Sequence, residues 1–293
     1  MRKITLFWHR RDLRLEDNAG LYRALKSNNN ILPLFIFDKN ILDHLENKQD
    51  ARVTFIHDQI LRLKNELNAL GTDIIVRYGK PLEIWAELIS EFDIEAVFTN
   101  KDWETYGIER DENVSNLLQN KNITFKSYKD HLIFDKQEVL KDDGKPYTVF
   151  SPYSRKWMAR LEKKMALWTN ANGEEKEISY YLKPYPNAQY FSNFYQISEP
   201  NFDFPTLEKM SFERSKTTIP PTNVTMSLIK NYDQNRNFPA IEGTSRLGIH
   251  LRFGTVSIRD KALKASYLNQ TFLNELIWRD FYAQILSDRK SVV

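Results

Sequence analysis

Along the first 130 positions, short apolar runs alternate with stretches whose apolar residues recur every three or four positions. Ile4 to Trp8 is the first run and reads as a strand. Asp17 and Asn18 suit the cap of the helix that follows, with Leu21, Tyr22 and Leu25 as its inner face. Ile31 to Phe37 is a second strand, apolar almost throughout, and Pro33 is an irregularity that periodicity does not explain. Ala51 to Leu70 reads as a long amphipathic helix closed by Gly71. Asp73 to Val76 is a third strand, and Pro81 opens a helix carrying Ile84, Trp85, Leu88 and Ile89. Ala96 to Thr99, Ile108 to Leu118 and Ile123 to Phe125 follow as strand, helix and strand. Near-continuous apolar strands alternating with helices predict a doubly wound parallel five-stranded sheet, covered on both faces, over residues 1–130.

The periodicity then weakens. Residues 131–223 accumulate Pro, Asn, Ser and Tyr and read as a connecting segment with short helices. The clearest of these runs from Tyr153 to Leu167, with Trp157 and Tyr153 packing it onto the body, and Lys141 to Lys145 is a surface turn. From Met226 onward the pattern is helical, so residues 224–293 read as the start of an all-helical domain.

The candidate chemistry lies between Asn231 and Tyr282. Tyr232 and Arg236 share a face if that stretch is helical. Gly243-Thr244-Ser245 places two hydroxyls just before an apolar run, which suits a helix N-terminus able to bind phosphate. Glu275, Trp278, Arg279 and Tyr282 form one helical stripe, while Leu273, Ile277 and Phe281 form another. An acid, an indole, a guanidinium and a phenol are costly to bury for packing alone. Together they suit a pocket for a planar, phosphate-bearing ligand. The plainer alternative is a partly exposed helix with an incidental Glu–Arg pair.

In the N-terminal half, no Gly-x-Gly-x-x-Gly follows the first strand, and Gly79-Lys80 lacks the rest of a phosphate loop. The basic run His9 to Arg14 could contact phosphate or the second domain, or be a polar loop with internal Arg–Asp pairs. Composition narrows the choices. The formal net charge of +3 gives no global basic field, so a DNA site must be a local patch. Cysteine is absent, which removes thiolate nucleophiles and zinc–thiolate sites, and the five His lack metal-ligand spacing. No run of membrane-spanning length or signal peptide is visible, so the chain reads as soluble and cytoplasmic.

Three stretches carry a resemblance. Phe7-Trp-His-Arg-Arg-Asp-Leu-Arg-Leu-Glu-Asp-Asn-Ala-Gly-Leu, Ser151-Pro-Tyr-Ser-Arg-Lys-Trp, and Gly243-Thr-Ser-Arg-Leu-Gly with Asn274-Glu-Leu-Ile-Trp-Arg-Asp-Phe-Tyr resemble the DNA photolyase/cryptochrome family, most closely its class I cyclobutane pyrimidine dimer photolyases. The matches fall in family order and span nearly the whole chain. The resemblance implies light-driven repair of pyrimidine dimers by electron transfer from reduced FAD to a dimer flipped out of DNA. It implies FAD contacts at Tyr232, Thr244, Ser245, Arg246, Leu247, Gly248 and Arg279. Gly248 stands where many members have Ser, removing a hydroxyl but not the backbone N–H. Glu275 and Trp278 would serve the dimer, and Arg236 and Tyr282 would join them in binding DNA. An antenna chromophore is implied for the N-terminal domain. Tyr106 and Gly107 fall where folate-binding members have Asn and Glu, which argues against folate.

Family members continue well past the Trp-Arg-Asp-Phe-Tyr helix, and Ser287 to Val293 resembles nothing in them. The expectation is a monomeric, C-terminally truncated form with an incomplete FAD domain, impaired activity and exposed apolar faces between Met226 and Leu286. Two other readings remain: a cryptochrome-type blue-light photoreceptor without repair, or a non-catalytic remnant folded only through an α/β piece ending near residue 130.

Overall fold

The computed structural model describes residues 3–27, 29–170, 172–198 and 202–288. Five parallel strands, β1 (Ile4–His9), β2 (Ile31–Asp38), β3 (Ile75–Gly79), β4 (Ile94–Asn100) and β5 (Thr124–Tyr128), form one sheet in the order β3-β2-β1-β4-β5. Intervening helices are α1 (Ala19–Ser27), α2 (Lys39–Leu42), α3 (Ala51–Ala69), α4 (Pro81–Glu91) and α5 (Thr105–Gln119). Alternation along each strand divides the apolar residues between two faces. Phe7, Phe35, Phe37 and Phe98 pack with Leu21 of α1 and Leu63 of α3. Leu6, Trp8, Leu34 and Val97 pack with Trp85 of α4 and Val114 of α5. Each such buried side chain contributes roughly 1.5–3 kcal/mol of transfer free energy. The doubly wound sheet predicted from periodicity is therefore the observed one.

Several boundaries moved for local reasons. Asp73 is a loop anchor rather than a strand residue: its carboxylate accepts from the Lys64 ammonium at 2.6 Å and from the Ile74 N–H at 2.7 Å. Asn18 caps α1, accepting from the Leu21 N–H at 3.1 Å, while Asp130 and Asn100 accept from the Ala19 and Gly20 N–H groups and Asp17 turns to the helical half. Pro33 now has a reason. The Ile31 carbonyl accepts from the Tyr195 N–H at 2.9 Å, and pairing with β3 begins only at Leu34. Pro33 falls between the two partners on that side of the strand, where no donor is required.

The middle of the chain divides. Helix α6 (Phe150–Glu162) ends five residues before the predicted Leu167, and a hairpin of β6 (Met165–Thr169) and β7 (Glu175–Ser179) follows. Lys163-Lys164 ends the apolar period of three or four, and Met165 to Thr169 alternates exposed with half-buried positions. Gly173, at φ +80°, makes the turn. Ile133, Tyr153, Trp157 and Ile178 join a second core with α7 (Met226–Lys230), α10 (Ile258–Leu268) and α11 (Gln270–Asp288). By contrast, Phe194, Leu207, Met210 and Phe212 return to the core of the α/β half. Met226, Phe238, Ile241, Tyr267, Tyr282 and Leu286 are exposed, as are Ile41, Leu61, Leu82 and Leu167 elsewhere in the chain.

A buried polar junction joins the halves. Arg259 of α10 donates from Nε to Asp17 at 2.8 Å and from a terminal nitrogen to Asp130 at 2.7 Å. Arg14 donates to Asp130 at 2.7 Å and to the Gly254 carbonyl at 2.9 Å. A Cβ at Gly254, whose φ is +62°, would lie 2.1 Å from the Arg11 carbonyl oxygen, so only glycine fits. The basic run thus contacts the second half.

Candidate functional site

The helical half brings part of the predicted site together. Helix α8 (Tyr232–Asn235) is a single turn, tied to the start of α11 by Asn269, whose amide donates to Asp233 at 2.7 Å and to the Lys230 carbonyl at 3.1 Å. Arg236 follows α8, lies 5.4 Å over the Tyr232 ring and pairs with Glu275 of α11. Tyr232 packs edge-on to Phe272 at 5.0 Å, and its hydroxyl is pushed up by burial and by Glu275. Tyr232, Arg236 and Glu275 therefore form one cluster.

The rest of the stripe on α11 divides by side. Trp278 stacks in parallel with Phe150 of α6 at 3.6 Å and with Tyr282 at 5.3 Å. Arg279 points inward and donates to the carbonyls of His131 at 2.6 Å and Leu251 at 3.1 Å; burial lowers its guanidinium to about 10. Its neighbour Asp280 is raised to about 6 by burial, although it accepts from the Trp157 indole at 3.1 Å and from the Ile133 N–H at 3.1 Å. Leu273, Ile277 and Phe281 are core, as the second stripe predicts.

The predicted phosphate turn differs from expectation. Helix α9 (Gly248–Phe253) begins three residues after Ser245 and lacks a side-chain cap, because Arg246 at φ +50° breaks the helical path. The Ser245 hydroxyl instead accepts from the Leu247 N–H at 3.4 Å. Thr244, Arg246 and Gly248 are exposed, Leu247 is buried, and Arg246 donates to Glu242 at 3.2 Å. Four cavities of 550, 590, 600 and 620 Å³ are lined by other residues: Tyr232, Thr244 to Gly248, Glu275 and Trp278 line none of them. Arg279 is committed to two carbonyls within the protein.

Sequence patterns placed a chromophore in the N-terminal half and singled out Tyr106 and Gly107, but did not show the cavity that they line. The 600 Å³ cavity opens at the carboxyl ends of β1, β2 and β4, beside the point where the strand order reverses. Phe35, Phe37, Val53, Ile56 and Phe253 make its apolar side. On its polar side burial alone would raise Asp102, but Arg11, Arg10 and Arg110 outweigh that and hold it at about 2. A Cβ at Gly107 would meet the Asp102 carboxyl carbon at 2.4 Å, so position 107 cannot carry a Glu while Asp102 keeps its place. The Tyr106 hydroxyl donates to Asp38 at 2.5 Å and is raised to about 12, by burial and then by that bond. The available signal was positional: polar residues just past the carboxyl ends of adjacent strands.

A family model described as DNA photolyase matches residues 5–170. The chain belongs to the DNA photolyase family. It is 28% identical, over 99% of its own length and 63% of the other's, to a deoxyribodipyrimidine photo-lyase of Halobacterium salinarum. It is 27% identical, over 95% of its length and 99% of the other's, to an uncharacterised 31.6 kDa protein of a Synechococcus. The chain spans about 60% of the length of the photo-lyases first matched. A class III photolyase of Agrobacterium tumefaciens superposes with TM-score 0.74 at 19% identity, over 98% of this chain and 60% of that one. An archaeal photolyase of Sulfolobus tokodaii with two FAD molecules superposes at 0.67 and 24%, over 97% and 59%. Both share the fold. Among the described residues no helix is long and apolar enough to cross a membrane.

Proposed function

We propose that this chain serves light-driven repair of cyclobutane pyrimidine dimers in DNA and supplies the lesion-facing wall of a flavin-dependent site. The observation that carries this is the assembly of Tyr232, Arg236 and Glu275 from α8 and α11, with Trp278 one turn further along. A flipped dimer presents base edges and an apolar ring face. Glu275 offers a carboxylate that accepts from a base N–H, and its partner Arg236 suits a backbone phosphate. Such a contact positions without reading sequence. Phe150 covers one face of the Trp278 indole and fixes its plane. The flavin belongs to this reading through FAD in the Sulfolobus photolyase and the position of Thr244 to Gly248 beside α9. We also place the antenna chromophore in the 600 Å³ cavity of the N-terminal half.

The test is binding of the 293-residue protein to an oligonucleotide with one thymine dimer against its undamaged twin. A preference for the dimer that Glu275→Ala and Trp278→Ala abolish is expected. Equal binding to both strands overturns the reading. Gel filtration with added FAD then examines the wall: flavin should separate from the protein, and stoichiometric co-elution would mean that the site closes.

A further inference from the structure

The N-terminal cavity has an uneven supply of hydrogen-bonding groups. Trp8 lines it and is 1% exposed, yet its indole Nε1–H has no partner. That nitrogen is sealed from solvent, so a ligand in the cavity does not reach it. The Trp8 ring cannot swing away. The Arg10 and Arg110 guanidinium groups lie 4.9 and 5.0 Å over it, and Trp85 packs edge-on at 5.4 Å.

The carboxylate on the same cavity is in the opposite condition. Asp38, at the end of β2, accepts from the Asn40 N–H at 2.9 Å with one oxygen and from the Tyr106 hydroxyl at 2.5 Å with the other. The Asn40 amide donates to the Tyr106 oxygen at 3.2 Å. Tyr106 belongs to the first turn of α5, so this chain of bonds joins α5 to the β2–α2 corner across the cavity wall. The other two carboxylates lining the cavity are already paired: Asp102 is held by three arginines, and Glu104 pairs with Arg11 and Arg252.

We propose that the Tyr106–Asp38 bond is a selectivity latch for this cavity: it occupies the Asp38 carboxylate and so favours planar heteroaromatic ligands with an acceptor edge over those with a donor edge. This rests on the reading of the cavity as a chromophore site and adds the residue that sets its preference. With the hydroxyl in place, the cavity presents the arginines that line it and withholds the Asp38 acceptor. Without it, Asp38 faces the cavity with an unsatisfied oxygen, and ligands bearing amino groups or positive charge gain a partner.

Two probes of one shape separate the cases. Riboflavin has three fused rings with a carbonyl edge. Proflavine has three fused rings with amino groups, a positive charge and no carbonyl. Fluorescence titration of the full chain should show tighter binding of riboflavin. In Tyr106→Phe the ratio of the two dissociation constants should move toward proflavine by about tenfold, the worth of one charge-assisted hydrogen bond. Tyr106 is partly exposed, so the variant should keep the wild-type circular dichroism spectrum. Adding Asp38→Asn, which keeps a capping side chain for α2 but removes the charge, should return the ratio to near its starting value. An unchanged ratio in Tyr106→Phe, or a shift that persists in the double variant, overturns the latch while the cavity still binds. Failure of riboflavin to bind the wild-type chain overturns the latch and the chromophore reading together, whereas proflavine that binds only Tyr106→Phe supports the latch.

Discussion

The N-terminal cavity and the wall formed by α8, α9 and α11 hold their polar groups in different ways. Asp102 sits in a recess where burial and neighbouring charges set its protonation. Glu275 and Arg236 pair in partial contact with solvent, their side chains 38% and 31% exposed. Screening makes such an exposed pair worth little, whereas burial magnifies every charge around Asp102. The first region is electrically finished by the chain described here. The second leaves its charged pair partly in contact with water.

The largest effect expected from breaking this arrangement lies at the junction that holds both regions together. Arg259→Met leaves Asp17 and Asp130 short of their buried partner and should cost about 3–5 kcal/mol in chemical denaturation. A variant as stable as the wild type would show that the junction contributes nothing net. Next comes pH. Asp280 has a folded value near 6 against an ordinary 3.8, so the native state binds more protons in that window. Its contribution to stability is present below the unfolded value and is lost as pH rises through about 6, a change of about 3 kcal/mol. Asp280→Asn should flatten that slope in urea denaturation followed from pH 4 to 7. Asp102 has the opposite sign: its contribution is present above 3.8 and is lost as pH falls through about 2. Gly107→Ala should destabilise by about 1–3 kcal/mol, because its Cβ overlaps a carboxyl gripped by three arginines. The smallest effect is expected at the wall, where Glu275→Gln should change thermal stability by less than about 1 kcal/mol. A large loss there would mean that Glu275 is structural, and the contrast between the regions would collapse.

The sheet was legible because its strands are apolar runs and its helices keep a clear period, as the burial of Leu6, Phe7, Trp8 and Leu34 shows. The cluster of Tyr232, Arg236 and Glu275 needed more than spacing, since 39 residues separate Arg236 from Glu275. The helical pattern put Glu275 and Arg279 on one stripe. It could not show that Arg279 would turn inward to the carbonyls of His131 and Leu251, which belong to distant parts of the chain. Nor could it show Phe150 on Trp278, a contact between α6 and α11. The hairpin of β6 and β7 was lost because its exposed strands carry no buried stripe. The N-terminal cavity was lost because its residues come from three strand ends, and only the sheet order makes them neighbours.

The return of Phe194, Leu207, Met210 and Phe212 to the α/β core also constrains how this protein can be born. A ribosome releases the chain from its N-terminus, and domains generally fold as units as they emerge. Here all five strands of the sheet are out once Tyr128 has cleared the exit, yet Phe194, Leu207, Met210 and Phe212 are still to come. Between those moments the nascent chain extrudes α6 and the hairpin, which belong to the other core or to the surface. The first half to be synthesised thus carries an unfilled apolar surface until more than eighty further residues have been added. That interval makes it a natural client for whatever shields unfinished domains at the ribosome.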